Sequence, residues 1–482
     1  MDGSRQVDVV VVGGGATGAV IAARLSEDPA RSVCLVEAGP DYGALGEGRW
    51  PVDLLDCHQL PASHDWCYDD GPAWSARVIG GCSAHNACLL TWGADRDYDE
   101  WGNGWSAAEI APYRRRAEGV IGGYVRATSG AWHDVVLEGA VEAGLALLDD
   151  VNATTTPIGV GRPLVNEREG VRWNAAFAYL DPARSRPNLT IIDRAIADRV
   201  VFDGTRARGV VVVRAGEAMT LHADRVVLTA GAYGTPAVLM RSGVGDPTEL
   251  ERLGIEPRVD LAGVGENLTN HWTTRVTVEP GPKLAAMIHA DAHAGGVHAV
   301  GTIAKAASSL CEDGVWDLHL FTICWRLADG EHVLRLNASV LRPESRGRVT
   351  LASPHPDVAP LIGHNALSDP AGHDLRVLRD GVRQALGILD SSAVRAIGAR
   401  ITAPVDTSDD ALAAYAAETL GCYYHPVGTC AIGTVVDGDG SVRGTEGLYI
   451  ADASIIPTIP RANTHLTVLA IAEKLAESLR RL

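Results

Sequence analysis

Lysine is almost missing from this chain. Lys283, Lys305 and Lys474 are the only three in 482 residues, so nearly all of the 42 basic residues are arginine, a bias of the kind a GC-rich bacterial genome produces. Positive charge is short as a whole: 60 acidic residues against 42 basic ones give a net charge of −18. That balance argues against a nucleic-acid-binding surface and predicts a self-repelling, soluble particle. Long apolar runs are missing too. No 18 uncharged apolar residues follow one another, which excludes a membrane-spanning helix. The first residues, "MDGSRQVDVVVVGGG", lack the basic region, apolar core and small-residue cleavage site of an export signal. The nine cysteines are odd in number and include no C-x-x-C pair or His/Cys cluster with ligand spacing. We therefore expect free thiols in a cytoplasmic protein and no metal site. On that reading the N-x-S/T matches at Asn152, Asn188, Asn267 and Asn337 are chance. No repeat or low-complexity tract is visible. With 46% hydrophobic and 21% charged residues, the chain is long enough to bury a large core in two or more structural units.

What is present starts at the N-terminus. "VDVVVV" (7–12) is a short β-branched apolar run, the pattern of a buried strand in a parallel sheet. Gly13-Gly14-Gly15-Ala16-Thr17-Gly18 follows, then a helical "AVIAARLSED", then a second strand, "SVCLVEAGPD", carrying Glu37 and Ala38. This strand–turn–helix–strand setting is what gives a G-x-G-x-x-G match its meaning. Gly13 permits the tight turn, Gly15 admits a pyrophosphate, and Gly18 lets helix and strand pack closely. The first N–H groups of the helix face the phosphates, and Glu37 accepts from ribose hydroxyls. Dinucleotide binding follows; FAD and NAD both remain open. "RVVLTAGAYGTP" (225–236) and "GLYIADAS" (447–454) look like further strands entering turns, so one nucleotide-binding core is assembled from distant parts of the chain.

Four motifs in order carry a resemblance: the N-terminal fingerprint, "ARVIGGCSAHNACLLTWGADRDYDEW" with "GWSAAEIAPY", "TAGAYGTPAVLMRSGVG", and "YYHPVGTCAIG" with "GLYIADASIIPTIPRANTHLTVLAIAEKLA". Together they resemble the glucose–methanol–choline (GMC) oxidoreductases over essentially the whole chain. The resemblance implies an α/β protein: a Rossmann-like FAD domain of discontinuous segments plus a substrate domain with an antiparallel sheet and helices. Residues 1–272 are expected to begin the FAD domain, 273–410 to form the substrate domain, and 411–482 to return to the FAD domain. Alternation in "WDLHLFTICWRL" and "HVLRLNASVL" suits the antiparallel sheet. Carried over position by position, the resemblance implies FAD contacts at Gly80, Gly81, Cys82, Asn86, Ala87, Ala197, Ala230, Gly231, Asp452, Ala453, Thr464 and His465.

The loop "GGCSAHN" is closest to choline oxidases, in which the equivalent of His85 carries the flavin covalently. His85 becomes the expected anchor, with a simple flavin or backbone contact as the alternative. His425 matches the family's catalytic histidine and Asn463 its second catalytic position. A neutral imidazole accepts the alcohol proton and an amide N–H holds the oxygen. The helix after Asn463 aims its N-terminus at the reduced ring. Trp50 and Tyr424 match aromatics of the choline site, whereas Thr273 stands where its acidic residue is and Phe321 where a histidine is. We therefore expect FAD-dependent oxidation of a neutral aromatic or apolar alcohol, not choline, with O₂ or another electron acceptor. Oxidation of a sugar or glycoside hydroxyl and a non-redox hydroxynitrile-type lyase are the alternatives.

Overall fold

The computed structural model describes residues 5–61, 63–68, 74–153, 158–295, 297–311, 314–326 and 331–482. The valine run forms the strand Arg5–Val12, and burial of Val9–Val12 explains why it is apolar throughout. It lies mid-sheet, parallel to Val33–Val36 on one side and to Glu217–Leu228 on the other. The full order is Ala195–Asp203, Arg206–Arg214, Glu217–Leu228, Arg5–Val12, Val33–Val36, Leu189–Ile192. Glu217–Leu228 is long enough for two neighbours along one edge. Arg206–Arg214 runs antiparallel along its first half, and Leu448–Ile450 pairs in parallel with Val226–Leu228. The three segments expected to share one nucleotide-binding core thus meet in one sheet.

Two helices seal this sheet. Ala16–Leu25 is buried along nearly its whole length, and Thr464–Arg481 packs against it. The second helix carries a buried acid, Glu473, whose carboxylate takes the Arg24 guanidinium from the first at 2.7 and 2.9 Å. A carboxylate that deep persists only when paired. The final helix is therefore locked to the glycine-turn helix by charge as well as by apolar packing. Among the described residues, no helix is long and apolar enough to cross a membrane.

A second sheet is antiparallel throughout, in the order Arg400–Thr402, Trp272–Glu279, His332–Val340, Leu318–Arg326, Ile303–Ala306, Gly159–Gly161. Gly421–Cys422 adds a short pairing to Trp272 and Thr273. Side chains alternate as the sequence pattern requires. Val276, Leu320, Leu336 and Ala338 face a core covered by the helix His373–Leu389. The opposite face, with Thr273, Phe321, Ile323 and Asn337, lines a cavity. The chain enters this sheet outside 273–410: Gly159–Gly161 comes from within the first expected segment and Gly421–Cys422 from the third. Strand pairing between distant segments carries no sequence signal of its own, so linear boundaries miss it.

Candidate active site

A cavity of about 780 Å³ runs from the glycine turn to the open face of the second sheet. Its cofactor end is built by backbone that only small residues allow. Gly13 has φ +105°, and a Cβ there would lie 2.5 Å from the Thr229 carbonyl oxygen. Gly15, by contrast, looks into the cavity, with nothing nearer to a Cβ than the Gly81 Cα at 3.9 Å. The intrahelical ladder starts with Ala19 N–H donating to Gly15 O, so the preceding N–H groups are those a helix leaves without internal partners. Gly18 does not line the cavity; a Cβ there would sit 1.9 Å from Gly13 O, so its role is close packing. The Glu37 carboxylate accepts from Gly14 and Gly39 N–H, each at 2.7 Å, and burial raises its pKa.

The "GGCSAHN" loop is held from outside. Gly80 and Gly81 take φ of +88° and +54°, and a short 3₁₀ turn, Gly81–Ala84, delivers His85. Gly80 serves the turn through its N–H to Gly14 O at 2.7 Å and does not line the cavity. Buried Arg172 donates to the carbonyls of Asn86, Leu54, Asp56 and Gln59, clamping the loop's far side. His85 is buried against Trp74, ring centroids 5.2 Å apart, and neither ring nitrogen has a protein partner. Burial, followed by the nearby Arg172 charge, lowers its pKa to about 4, which leaves a neutral imidazole. His465 Nε2 is likewise buried and unpartnered, with burial lowering its pKa to about 4. The open glycine cradle, free helical N–H groups, buried acid and two orphaned imidazoles suit FAD.

The other end of the cavity holds a chain of four side chains. His425 Nδ1 lies 2.9 Å from His271 Nδ1, and His271 Nε2 lies 3.2 Å from the Leu341 carbonyl. Asn463 Nδ2 lies 3.2 Å from His425 Nε2, while Asn463 Oδ1 accepts from the Thr91 hydroxyl at 2.8 Å. A carbonyl only accepts, so His271 carries its proton on Nε2. Burial lowers the His271 pKa to about 3, so this ring is neutral and its Nδ1 accepts from His425 Nδ1–H. The remaining nitrogen of His425, Nε2, is left unprotonated at the cavity, where it accepts from the Asn463 amide N–H. Burial, then the neighbouring His271 and His319, hold the His425 pKa well below the usual value. Tyr423 stacks on Phe321 at 4.3 Å and stands 4.4 Å from His425, forming an aromatic wall.

Two GMC oxidoreductase family models match the chain, an N-terminal one over residues 7–273 and a C-terminal one over residues 343–472. The chain belongs to the GMC oxidoreductase family. Choline oxidase from Arthrobacter globiformis is 33% identical, the match covering 99% of this chain and 94% of that protein. Oxygen-dependent choline dehydrogenase from Burkholderia multivorans is 30% identical over the same shares. The crystal structure of pyridoxine 4-oxidase from Mesorbium loti superposes with a TM-score of 0.86 at 25% identity, covering 99% of both chains. A fungal aryl-alcohol oxidase shares the fold, with a TM-score of 0.83 at 22% identity and coverage of 98% and 99%. This GMC oxidoreductase is therefore an FAD-dependent enzyme acting on alcohols.

The cavity of this GMC oxidoreductase collects nearly all the expected site residues, including Ala197, Thr273, Phe321, Tyr424, Asp452 and Asn463. Trp50 is the exception with a physical consequence. It is buried in the first core against Phe177 and Tyr42, donates Nε1–H to Gly43 O at 2.9 Å, and does not line the cavity. Trp74, Trp66 and Tyr68 supply aromatic lining that the motifs did not single out. His271 was legible as the last residue of "GENLTNH", but its contact with His425 was not. Thr91, Arg172, Arg275 and Arg335 gave no signal at all.

One His/Cys group also appears that ligand spacing did not predict: Cys57, His58 and His298, with potential ligand atoms within 4.8 Å of one another. Both His58 nitrogens already face acceptors, Asp56 Oδ1 at 2.9 Å and Gly295 O at 3.0 Å. The hydrogen bond to Asp56 raises the His58 pKa. This ring is placed to hold protons at both nitrogens, which is the opposite of a ligand's task.

Proposed function

We propose that this GMC oxidoreductase oxidises an alcohol to its aldehyde or ketone with His425 as the base and Asn463 holding the reacting oxygen. FAD, when bound, supplies the hydride acceptor, and O₂ or another acceptor then takes the electrons. The observation that carries the reading is the tautomer chain Leu341 O–His271–His425, which leaves the Nε2 lone pair of a buried neutral imidazole facing the cavity. His425 Nε2 takes the hydroxyl proton. The Asn463 amide, oriented by Thr91, donates to the oxygen as negative charge grows on it. The Tyr423–Phe321 wall excludes water from the proton's path and gives the substrate an apolar surface.

The cradle described above would hold FAD: Gly13–Thr17 and Glu37 toward the nucleotide, and the His85 loop and Thr464–His465 toward the ring. His85 is the proposed point of covalent attachment, supported by its two unpartnered nitrogens and its neutral state. Choline is disfavoured as substrate: Thr273 supplies no carboxylate, Trp50 is outside the cavity, and two guanidiniums in the wall repel a quaternary ammonium.

Anaerobic mixing with a panel of alcohols tests the reading. An accepted alcohol should bleach the visible flavin band, and His425→Ala should slow that bleaching by about 10²-fold or more, the scale on which a general base contributes. Bleaching that survives His425→Ala at near-normal rate removes His425 from the mechanism. A flavin that no alcohol reduces removes the redox reading altogether.

A further inference from the structure

The cavity face of the second sheet carries an arrangement that alcohol oxidation by itself does not need. Arg275 and Arg335 both line the cavity. Strand register puts Arg275 opposite Asn337, and Asn337 opposite Phe321; Arg335 is two residues from Asn337 on the same strand. The two arginines are thus diagonal cross-strand neighbours, about 7–8 Å apart at the backbone and within mutual reach of long side chains. Among the described residues neither forms an ion pair. Arg275 donates to the Thr419 carbonyl at 3.3 Å. Arg335 lies over the Trp325 ring at 5.1 Å, its Nε buried without a partner, and the neighbouring Asn337 Oδ1 is unpartnered as well.

Among the described residues, the other arginines lining this cavity, Arg77 and Arg241, have further partners, which include the Ala38 carbonyl for Arg77 and the Asp198 carboxylate for Arg241. Arg77 lies over Trp66, and Arg241 donates to the Asp198 and Ala197 carbonyls. Among the described residues the carboxylates lining the cavity are Glu37 and Asp452 at the cofactor end and the exposed Asp357. Two like charges held side by side, half-buried and without a counterion among the described residues, are unfavourable unless something anionic joins them. Burial, and then the Arg275 charge, depress the Arg335 pKa, the signature of that conflict.

We infer that Arg275 and Arg335 receive an oxyanion, carboxylate or phosphate, on the substrate end remote from the hydroxyl, so that the substrate is an alcohol bearing an acid group. This rests on the alcohol-oxidising reading and narrows its substrate class. Arg275 lies four residues beyond His271, about 13 Å of strand at about 3.3 Å per residue. The acid group is therefore separated from the reacting carbon by several bonds, with the apolar body of the substrate against Phe321 and Tyr423. The neutral alcohol expected from the sequence gives way to one whose middle is apolar and whose far end is charged.

The test pairs 4-(hydroxymethyl)benzoate with its methyl ester in anaerobic flavin reduction by the holoenzyme, and benzoate with benzamide as unreactive ligands read by perturbation of the flavin spectrum. The carboxylate should be reduced-flavin-forming at least tenfold more efficiently than the ester, and benzoate should bind at least tenfold more tightly than benzamide. Arg335→Gln and Arg275→Gln should each remove most of that preference while leaving the ester within threefold of the native value. A phosphate-bearing benzylic alcohol distinguishes phosphate from carboxylate as the preferred acid. Equal treatment of benzoate and benzamide, or variants that weaken acid and ester alike, overturns the inference. Preference for benzoate with no alcohol reducing the flavin leaves the charge recognition standing and overturns the alcohol reading instead.

Discussion

At the scale of single residues, the site works by what its imidazoles lack. His425 keeps an unprotonated Nε2 because His271 takes the Nδ1 proton and Leu341 O fixes the tautomer of His271 in turn. His85 has nothing on either nitrogen, in a loop held rigid by Arg172. Unpaired buried polar atoms are costly, so those that line the cavity mark where ligands belong. For His85 the expected ligand bond is covalent. Acid precipitation of the purified yellow protein should carry the flavin colour into the pellet, and His85→Ala should move it to the supernatant while the protein still folds. Colour in the wild-type supernatant would reduce His85 to a contact. The motif around His85 was legible in the sequence, because glycines and alanines bunched beside an imidazole are unusual. The partners of His425 were not, since His271 is 154 residues away and Thr91 is 372 residues from Asn463.

At the scale of elements, the glycine turn shows how steric exclusion sets cofactor binding. Gly18→Ala places a Cβ 1.9 Å from the Gly13 carbonyl oxygen, and backbone has no rotamer with which to retreat. We expect a loss of about 1–3 kcal/mol, the usual cost of overpacking, together with purified protein of low flavin content. Gly119→Ala is the matched control. It lies within the helix Ala107–Ile121 with nothing within 4 Å of its Cβ position, so the change should be neutral or stabilising by up to about 1 kcal/mol. Equal flavin content in both variants would show that the turn tolerates what its geometry forbids. The strands and helices themselves followed the sequence closely. The valine run, the alternating stretches around 318–326 and 332–340 and the last helix all form where their periodicity puts them.

Over the whole molecule, buried histidines govern the response to acid. Burial lowers the pKa to about 4 for His85, His133 and His465 and to about 3 for His271 and His298, and holds it well below the usual value for His319 and His425. Below about pH 6.5 the unfolded chain binds protons on these rings that the folded chain refuses, so acidification favours unfolding. His58 and His373, raised chiefly by hydrogen bonds to Asp56 and Asp374, act in the opposite sense over the same range. Glu37, Asp97 and Asp452, raised by burial, also oppose it as their own range is approached. The neutral rings outnumber these groups between pH 6.5 and 5.5. Each contributes about 1.4 kcal/mol per pH unit below its free value. The melting temperature should therefore fall by about 3–5 °C from pH 8 to pH 5.5, and a melting temperature that is flat or rising over that interval contradicts the balance.

The sequence by itself determined the nucleotide-binding core and the identity of its chemical groups. Glycine spacing, valine runs and motif order are local patterns, and local sterics translate them directly into turns, strands and cradles. Tertiary structure alone decided what those groups meet. It moved Trp50 into the core, brought His271 to His425, and drew Gly159–Gly161 into the second sheet. It also set Arg275 beside Arg335 across two strands whose register no local pattern encodes. Register depends on which faces of distant strands bury together, and that choice is made by the packed core rather than by any one stretch of chain.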